Sequence, residues 1–129
     1  MTTTIYTDGG SRGNPGKATC AFLVVRNNKV LLEHSKFLGK ATNNEAEYNA
    51  IIEALTKIKA KEIHLFSDSE LVINQINGKY KINKEHLKKL KEKVIRLCEN
   101  RKITFSNVSR ENKYITKADF LVNEELDRN

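Results

Sequence analysis

The segment that decides the fold is Thr7-Asp8-Gly9-Gly10-Ser11-Arg12-Gly13-Asn14-Pro15-Gly16, in which an acid is followed by glycines and a proline. The residues before it are mostly threonine, isoleucine and tyrosine, which favour extended backbone and predict a strand that ends at Asp8. The Gly/Asn/Pro cluster predicts a tight turn that a ligand can approach closely. An Asp-Gly pair also fits a plain polar hairpin turn, so only further acids would make Asp8 a functional candidate.

A second acid lies in Thr42-Asn43-Asn44-Glu45-Ala46-Glu47-Tyr48, at the start of a predicted helix. Thr42 and Glu45 have the spacing of a capping box, in which each side chain accepts a hydrogen bond from the other residue's backbone amide. Glu47 lies two residues further on, on a different face of the helix, and the cap does not need it. It is therefore free to turn toward the sheet, the alternative being a solvated glutamate.

Two further acids lie near predicted helix starts. Asp68 follows a short apolar strand, where it could also serve as an N-cap. Asp119 would be the third residue of a final helix capped by Thr116. Because strand ends and adjoining helix starts are where α/β sheets collect ligand groups, the four acids together predict one site. Converging carboxylates repel one another unless cations join them, and an all-oxygen set is typical of Mg²⁺.

The chain resembles type 1 ribonuclease H in four segments that occur in the family's order: T-D-G-G-S-R-G-N-P-G, T-N-N-E-A-E-Y, S-D-S-E-L-V and K-A-D-F-L. The resemblance runs from Ile5 to about Leu126. It implies an endonuclease that hydrolyses the RNA strand of RNA–DNA hybrids and leaves 3′-hydroxyl and 5′-phosphate ends.

The resemblance also implies the metal site. Two Mg²⁺ ions about 4 Å apart would activate the attacking water and stabilise the leaving oxygen, with Mn²⁺ as a substitute. Asp8 would bridge both ions, Glu47 and Asp68 would serve one ion, and Asp119 would serve the other. These four acids are the expected catalytic and metal-binding residues.

Substrate contacts follow from the same resemblance. Only the 2′-hydroxyl marks the RNA strand, so short amides and backbone groups are expected to recognise it. The matching residues are Asn14, Asn43 and Asn44 for nucleic-acid backbone contacts, with Lys40 and Thr42 forming a DNA-phosphate pocket. Plain turn and capping roles are the alternative for all of them.

The chain departs from the family pattern before the fourth acid. Several bacterial members have a histidine in a Gly-rich loop there, which is credited with proton transfer or product release, whereas this chain has Ser109-Arg110-Glu111-Asn112. Glu111 is the candidate substitute, as an acid that attracts or releases the second metal, and a solvated loop acid is the alternative. The extra helix and basic protrusion of some members are also expected to be absent, because only residues 77–83 join the neighbouring helices.

The excess positive charge is confined to one segment. Residues 79–102 contain ten Lys or Arg and three Glu, a net charge of +7, while the rest of the chain has 13 basic and 13 acidic residues. Apolar residues recur there at helical spacing, which predicts a helix with one face on the core and its lysines exposed. We interpret this surface, including Lys88 and Lys89, as a nucleic-acid footprint, with a solvated helix face as the alternative.

The predicted elements alternate between strands and helices. Strands are expected at 2–8, 18–26, 29–38, 62–67 and 102–108, and helices at 43–58, 69–77, 84–99 and 116–127. An Asn-Asn turn joins the second and third strands as a hairpin, so the α/β protein has a mixed sheet. The resemblance implies a five-stranded ribonuclease H-like fold with helices on both faces and with the first and fourth strands adjacent.

Length and composition set the remaining expectations. With 129 residues, of which 39% are hydrophobic, the chain is expected to be a single domain over 1–129. Cys20 and Cys98 lack metal-type spacing and are expected to be buried free thiols in a reducing compartment. Without a signal peptide or membrane-length apolar run, a cytoplasmic protein is expected. No membrane and no protein partner are implied, and a monomer is expected.

Other functions compatible with this fold are a non-catalytic hybrid-binding module and a DNA-directed nuclease of the same superfamily. A non-catalytic module would ordinarily lack one of the four acids, and all four are present. The Thr42-Asn43-Asn44 and Gly13-Asn14-Pro15-Gly16 segments disfavour a DNA-directed enzyme. A structural or interaction protein with a basic helix is the remaining option.

Overall fold

The structure is a computed structural model that describes residues 2–129. Its strands are β1 (Thr3–Gly13), β2 (Gly16–Arg26), β3 (Lys29–Ala41), β4 (Glu62–Ser67) and β5 (Lys102–Asn107). Its helices are α1 (Asn43–Lys57), α2 (Glu70–Ile76), α3 (Glu85–Leu97) and α4 (Lys113–Arg128). No helix within residues 2–129 combines the length and the hydropathy needed to cross a membrane.

The five strands form one mixed sheet in the order β3-β2-β1-β4-β5. β1 pairs antiparallel with β2, and β2 pairs antiparallel with β3. β4 pairs parallel with β1 on one side and with β5 on the other. The predicted fold class and the predicted adjacency of the first and fourth strands are both confirmed.

β1 is longer than the sequence predicts. It pairs with β2 as far as Gly13, so the turn is confined to Asn14 and Pro15, and the prediction that Asp8 ends the strand is wrong. The reason is that β2 offers hydrogen-bonding partners along the whole glycine-rich stretch, and glycine adopts extended backbone as readily as a turn. β4 stops opposite Thr7, so Asp8 comes just after the end of the parallel pairing.

Helices cover both faces of the sheet, as predicted. Successive residues of β2 point to opposite faces, so that Phe22 joins the core under α1, α2 and α3 while Leu23 joins the core under α4. Leu87 and Val94 of α3 are buried in the first of these cores, which confirms the predicted apolar face of the basic helix. Within the described residues, no further helix lies between α2 and α3, as expected for the compact form.

α4 begins earlier than predicted. Its N-cap is Asn112, whose side chain accepts hydrogen bonds from the amides of Tyr114 and Ile115, so the prediction that Thr116 caps the helix is wrong. Asn112 supplies the same kind of acceptor, and Ile115, one residue before the predicted start, is buried in the core. Asp119 therefore lies in the second turn of α4 and not at its third position.

The two cysteines are free, as predicted, although only Cys20 is fully buried and Cys98 is partly exposed. Burial raises the pKa of the Cys20 thiol to about 12, which makes it an inert packing group at neutral pH.

Candidate active site

Three acids that are distant in sequence meet at one point of the fold. Asp8 of β1, Glu47 of α1 and Asp68 at the β4–α2 junction bring carboxylate oxygens within 4.8 Å of one another. Asp119 of α4 lines the same cleft, whose volume is about 590 Å³. The structure thus brings together all four acids that the sequence singled out, with three in a tight group and the fourth beside them.

Local structure in α1 leaves Glu47 available to the cleft. The predicted capping box is present, because Thr42 Oγ1 accepts from the Glu45 amide at 3.1 Å and Glu45 Oε1 accepts from the Thr42 amide at 2.8 Å. The Glu45 side chain is engaged in this cap, whereas the Glu47 side chain takes no part in it. Glu47 Oε1 is buried and accepts no hydrogen bond within the described part of the chain. A buried carboxylate oxygen without a donor is an expected ligand for a cation.

The residues on either side of Asp68 form the helix cap and the hydrogen bonds that hold the β4–α2 junction. Ser69 is the N-cap of α2, because its Oγ accepts from the Val72 amide, so the capping alternative for Asp68 does not apply. The Ser67 carbonyl accepts hydrogen bonds from Asn107 Nδ2 at 3.1 Å and from the Val108 amide at 2.9 Å. These contacts hold the junction against β5 and leave the Asp68 carboxylate to the cleft.

Asp119 is more exposed than the other three acids. Its Oδ2 accepts a hydrogen bond from Asn123 Nδ2, one helical turn further along α4, at 3.3 Å. Asp119 is close enough to the other three acids for its charge to raise the pKa of each of them.

The cluster is electrostatically strained in the absence of a cation. Burial, followed by the charges of Asp68 and Asp119, raises the pKa of Asp8 to about 8. Burial and the Asp8 charge raise the pKa of Glu47 well above its usual range. Burial also raises the pKa of Asp68, although the Arg110 guanidinium opposes that shift. Clustered acids that resist ionisation in a cleft are typical of functional sites.

Arg110 is a cleft residue that the sequence analysis missed. It lines the cleft, whereas the neighbouring candidate Glu111 is exposed and is not among the lining residues. The Arg110 carbonyl accepts a hydrogen bond from Thr116 Oγ1 at 3.4 Å, which ties the loop to α4. The signal available in the sequence was a positively charged side chain in the loop before the fourth acid. The loop's length alone does not show which of its side chains faces the cleft. The role of Glu111 stays a prediction.

Two of the amide residues expected to contact substrate, Asn14 and Asn43, form a hydrogen-bond network with Ser11 beside the cleft. Asn14 Oδ1 accepts from the Asn43 amide at 3.1 Å, and Asn43 Oδ1 accepts from the Ser11 amide at 2.8 Å. Asn43 and Asn44 line the cleft. The β1–β2 hairpin and the start of α1 are thereby joined into one polar rim.

The remaining predicted contacts lie outside the cleft lining. Lys40 is exposed near the end of β3, opposite Lys17 of β2, and the Thr42 hydroxyl serves the helix cap. Lys88 and Lys89 are exposed on α3, which packs on α1 on the same face of the sheet. Their roles in binding stay predictions.

Comparison with known proteins identifies the family. The family model described as RNase H matches residues 1–126. This chain belongs to the RNase H family. Among solved RNase H structures, the crystal structure of RNase H1 from Halobacterium salinarum is 32% identical, with a TM-score of 0.93 and full coverage of both chains. LC11-RNase H1, solved in complex with an RNA/DNA hybrid, is 37% identical, with a TM-score of 0.89 and coverage of 98% and 97%.

Curated relatives agree with this assignment. A protein named ribonuclease H from Clostridium botulinum is 35% identical, and the match covers 95% of this chain and 94% of the relative. The bifunctional protein Rv2228c of Mycobacterium tuberculosis is 38% identical over 98% of this chain. The chain spans only 36% of the length of that Mycobacterium protein.

The donor set of this RNase H-family site fits a hard divalent cation. Oxygens of Asp8, Glu47 and Asp68 converge, and Glu47 has a buried oxygen, Oε1, without a hydrogen-bond donor in the described part of the chain. Carboxylates in this arrangement suit Mg²⁺ or Mn²⁺ better than softer metals, which prefer nitrogen and sulfur.

Proposed function

We propose that this chain is a divalent-cation-dependent endonuclease that hydrolyses the RNA strand of RNA–DNA hybrids and leaves 3′-hydroxyl and 5′-phosphate ends. The observation that carries the proposal is the convergence of Asp8, Glu47 and Asp68 in the cleft of an RNase H-family fold. Support for the substrate comes from LC11-RNase H1, a neighbour with a TM-score of 0.89 that was solved with an RNA/DNA hybrid. We further propose that residues 1–129 form one catalytic domain that acts as a cytoplasmic monomer.

The proposed catalytic and metal-binding residues are Asp8, Glu47, Asp68 and Asp119. When bound, two divalent cations would activate a water and stabilise the leaving 3′ oxygen. Asp8 is the proposed bridging ligand, because its carboxyl interacts with those of Asp68 and Asp119 and lies beside Glu47. Mg²⁺ is the proposed ion, with Mn²⁺ as a substitute.

The residues around the acids would bind and orient the hybrid. Asn14, Asn43 and Asn44 would contact the nucleic-acid backbone and the 2′-hydroxyl from the polar rim, where hydrogen bonds join Asn43 to Asn14 and to Ser11. Arg110 lies beside Asp68, where its guanidinium would attract a backbone phosphate into the cleft.

Phosphates further along the hybrid would meet basic residues outside the cleft. Lys40 and Thr42 are the proposed DNA-phosphate pocket, and Lys88 and Lys89 are the proposed contacts on α3. Their contribution would be electrostatic and independent of sequence.

The test is cleavage of labelled RNA–DNA hybrid, double-stranded RNA and double-stranded DNA by the purified protein, with and without Mg²⁺. We expect cleavage of the hybrid alone, in its RNA strand, and only with Mg²⁺. Asp8→Asn and Asp68→Asn should each abolish cleavage while the protein stays folded, because neutral amides cannot hold two dications together. Wild-type protein that binds hybrids without cutting them would instead indicate a binding module, and cleavage of double-stranded DNA would indicate a DNA-directed nuclease.

A further inference from the structure

A buried hydrogen bond joins the two helices next to the acidic cluster. The Tyr48 hydroxyl donates to Oε1 of Gln75 at 2.8 Å, and the two side chains are 0% and 4% exposed. Tyr48 directly follows Glu47 in α1. Gln75 lies in α2, the helix that starts at its cap immediately after Asp68. The hydrogen bond therefore connects the segment that carries one acid with the helix that follows another.

This polar pair lies in an otherwise apolar setting. Tyr48 belongs to the core under α1, α2 and α3, which also contains Ile51, Ile73 and Ile76. α1 packs much more extensively on α3 than on α2, and this hydrogen bond is a direct polar link between α1 and α2. Apolar side chains would fill the same space with less directional preference, whereas a buried hydrogen bond favours one separation.

The acids next to this hydrogen bond oppose the arrangement that a cation needs. When ionised, Glu47 and Asp68 repel each other at a distance below 4.8 Å. β1 restrains the segments that carry Glu47 and Asp68, because it contacts α1 and pairs with β4. The Tyr48–Gln75 hydrogen bond adds a directional restraint between the two helices.

We propose that Tyr48 and Gln75 are positioning residues, whose hydrogen bond holds α1 and α2 at the separation that lets Glu47 and Asp68 share a divalent cation. The inference rests on the divalent-cation site of the proposed function and not on the cleavage reaction. It assigns no contact with substrate or metal to either residue. Loss of this hydrogen bond should lower the affinity for the cation and should not directly affect the chemical step.

The first test is Tyr48→Phe, which removes only the hydroxyl, with Mn²⁺ alone as the probe. Free Mn²⁺ is followed by electron paramagnetic resonance in a titration without nucleic acid. We expect an association constant about tenfold lower than that of the wild type, as for other residues that orient metal ligands indirectly. Hybrid KM at saturating metal should not change. Wild-type Mn²⁺ affinity in Tyr48→Phe would overturn the proposal.

A double variant separates positioning from general stability. Tyr48→Phe leaves the Gln75 carbonyl buried without its donor and should lower the unfolding temperature, whereas Tyr48→Phe with Gln75→Leu removes both polar partners and should regain stability. We expect the double variant to keep the weakened Mn²⁺ binding. Recovery of Mn²⁺ affinity together with stability would show that the hydrogen bond acts only through folding and would overturn the proposal.

Tyr114→Phe is the matched control. The Tyr114 hydroxyl is also buried, but within residues 2–129 it has no hydrogen-bond partner. Its removal should leave Mn²⁺ affinity unchanged, and an equal loss of Mn²⁺ affinity in Tyr114→Phe would overturn the specific role of Tyr48.

A wild-type protein that binds Mn²⁺ without cutting hybrids would refute the proposed function and leave this inference standing. A wild-type protein that binds no Mn²⁺ would overturn the inference.

Discussion

Gly9 lies in backbone contact with Ala46. A Cβ atom added to Gly9 would lie 2.3 Å from the carbonyl carbon and oxygen of Ala46 and 2.6 Å from the amide nitrogen of Glu47. β1 and α1 therefore come into close contact at Gly9, which follows Asp8, and Ala46, which precedes Glu47. A residue without a side chain at position 9 is what allows these two acids to be neighbours.

Gly9→Ala should therefore push α1 away from β1. We expect it to destabilise the protein by about 1–3 kcal/mol, as for other overpacked sites, and to lower both Mg²⁺ affinity and hybrid cleavage. Gly10→Ala is the control, because the nearest atom to its added Cβ would be Val122 Cγ1 at 3.4 Å. Urea unfolding and metal titration measure both effects. Equal behaviour of the two variants would show that the close approach does not position the acids.

The raised pKa of Asp8 predicts how metal-free stability depends on pH. Asp8 has a pKa of about 8 in the folded protein, against an ordinary value of 3.8 in the unfolded chain. The folded state thus retains a proton that the unfolded state releases. The resulting contribution to stability is complete below about pH 4 and is lost as pH rises through about 8.

With EDTA present, urea unfolding should therefore show wild-type stability declining between pH 5 and pH 8 relative to Asp8→Asn. At pH 8 the variant should be the more stable of the two, because it removes a charge that burial and Asp68 disfavour. Added Mg²⁺ should stabilise the wild type more at pH 8 than at pH 6, since protons compete with the cation. Parallel pH profiles of the two proteins would contradict the assignment.

Glu45 and Glu47 should respond differently to the same substitution. Glu45→Gln keeps the capping box, because glutamine also accepts the Thr42 amide, and loses only a favourable charge near the helix start, worth about 0.3–1 kcal/mol. Glu47→Gln should leave folding intact and lower hydrolysis by orders of magnitude, since a proposed metal ligand loses its charge. Turnover and melting temperature of both variants test this. An inactive Glu45→Gln beside an active Glu47→Gln would reverse the assignment.

The basic helix should contribute to binding through its charge. Reversal of Lys88, Lys89 and Lys91 to glutamate should raise KM for the hybrid and flatten the salt dependence of binding, because fewer counterions are released. The control reverses Lys57, Lys59 and Lys61, which are exposed at and after the end of α1, opposite the end that carries the acids. It changes net charge equally and should have the smaller effect. An equal salt dependence of hybrid binding in the two triple variants would show that the exposed lysines of α3 form a solvated face with no specific role in binding.

Arg110 and Glu111 should be separable by mutation. Arg110→Ala should weaken cleavage and also raise the pKa of Asp68 further, because the neighbouring positive charge is lost. Glu111→Gln should have a smaller effect on turnover, since Glu111 is not among the residues that line the cleft. Hybrid cleavage at pH 6 and pH 8 distinguishes them, with Arg110→Ala losing more activity at the lower pH. A larger loss in Glu111→Gln would support its prediction as the substitute for the loop histidine.

Short-range patterns were sufficient for several features of this protein. The Thr42–Glu45 capping box joins residues three apart, and the apolar face of α3 repeats every three or four residues, so both could be predicted from neighbouring residues alone. The four acids and the adjacency of the first and fourth strands were predicted because the acids occur in recognisable segments. The acids' proximity followed from the fold that those segments implied.

Other features depend on contacts between distant segments. β1 continues to Gly13 because β2 pairs with it, and α4 begins at Lys113 because Asn112 caps it and Ile115 reaches the core. The path of the loop before α4 places Arg110 in the cleft lining. Gln75 of α2 forms a hydrogen bond with Tyr48 of α1. Local preference predicts what a segment tends to form, but pairing and packing are decided by residues far along the chain. The tertiary structure therefore determined where the elements end and which side chains surround the four acids.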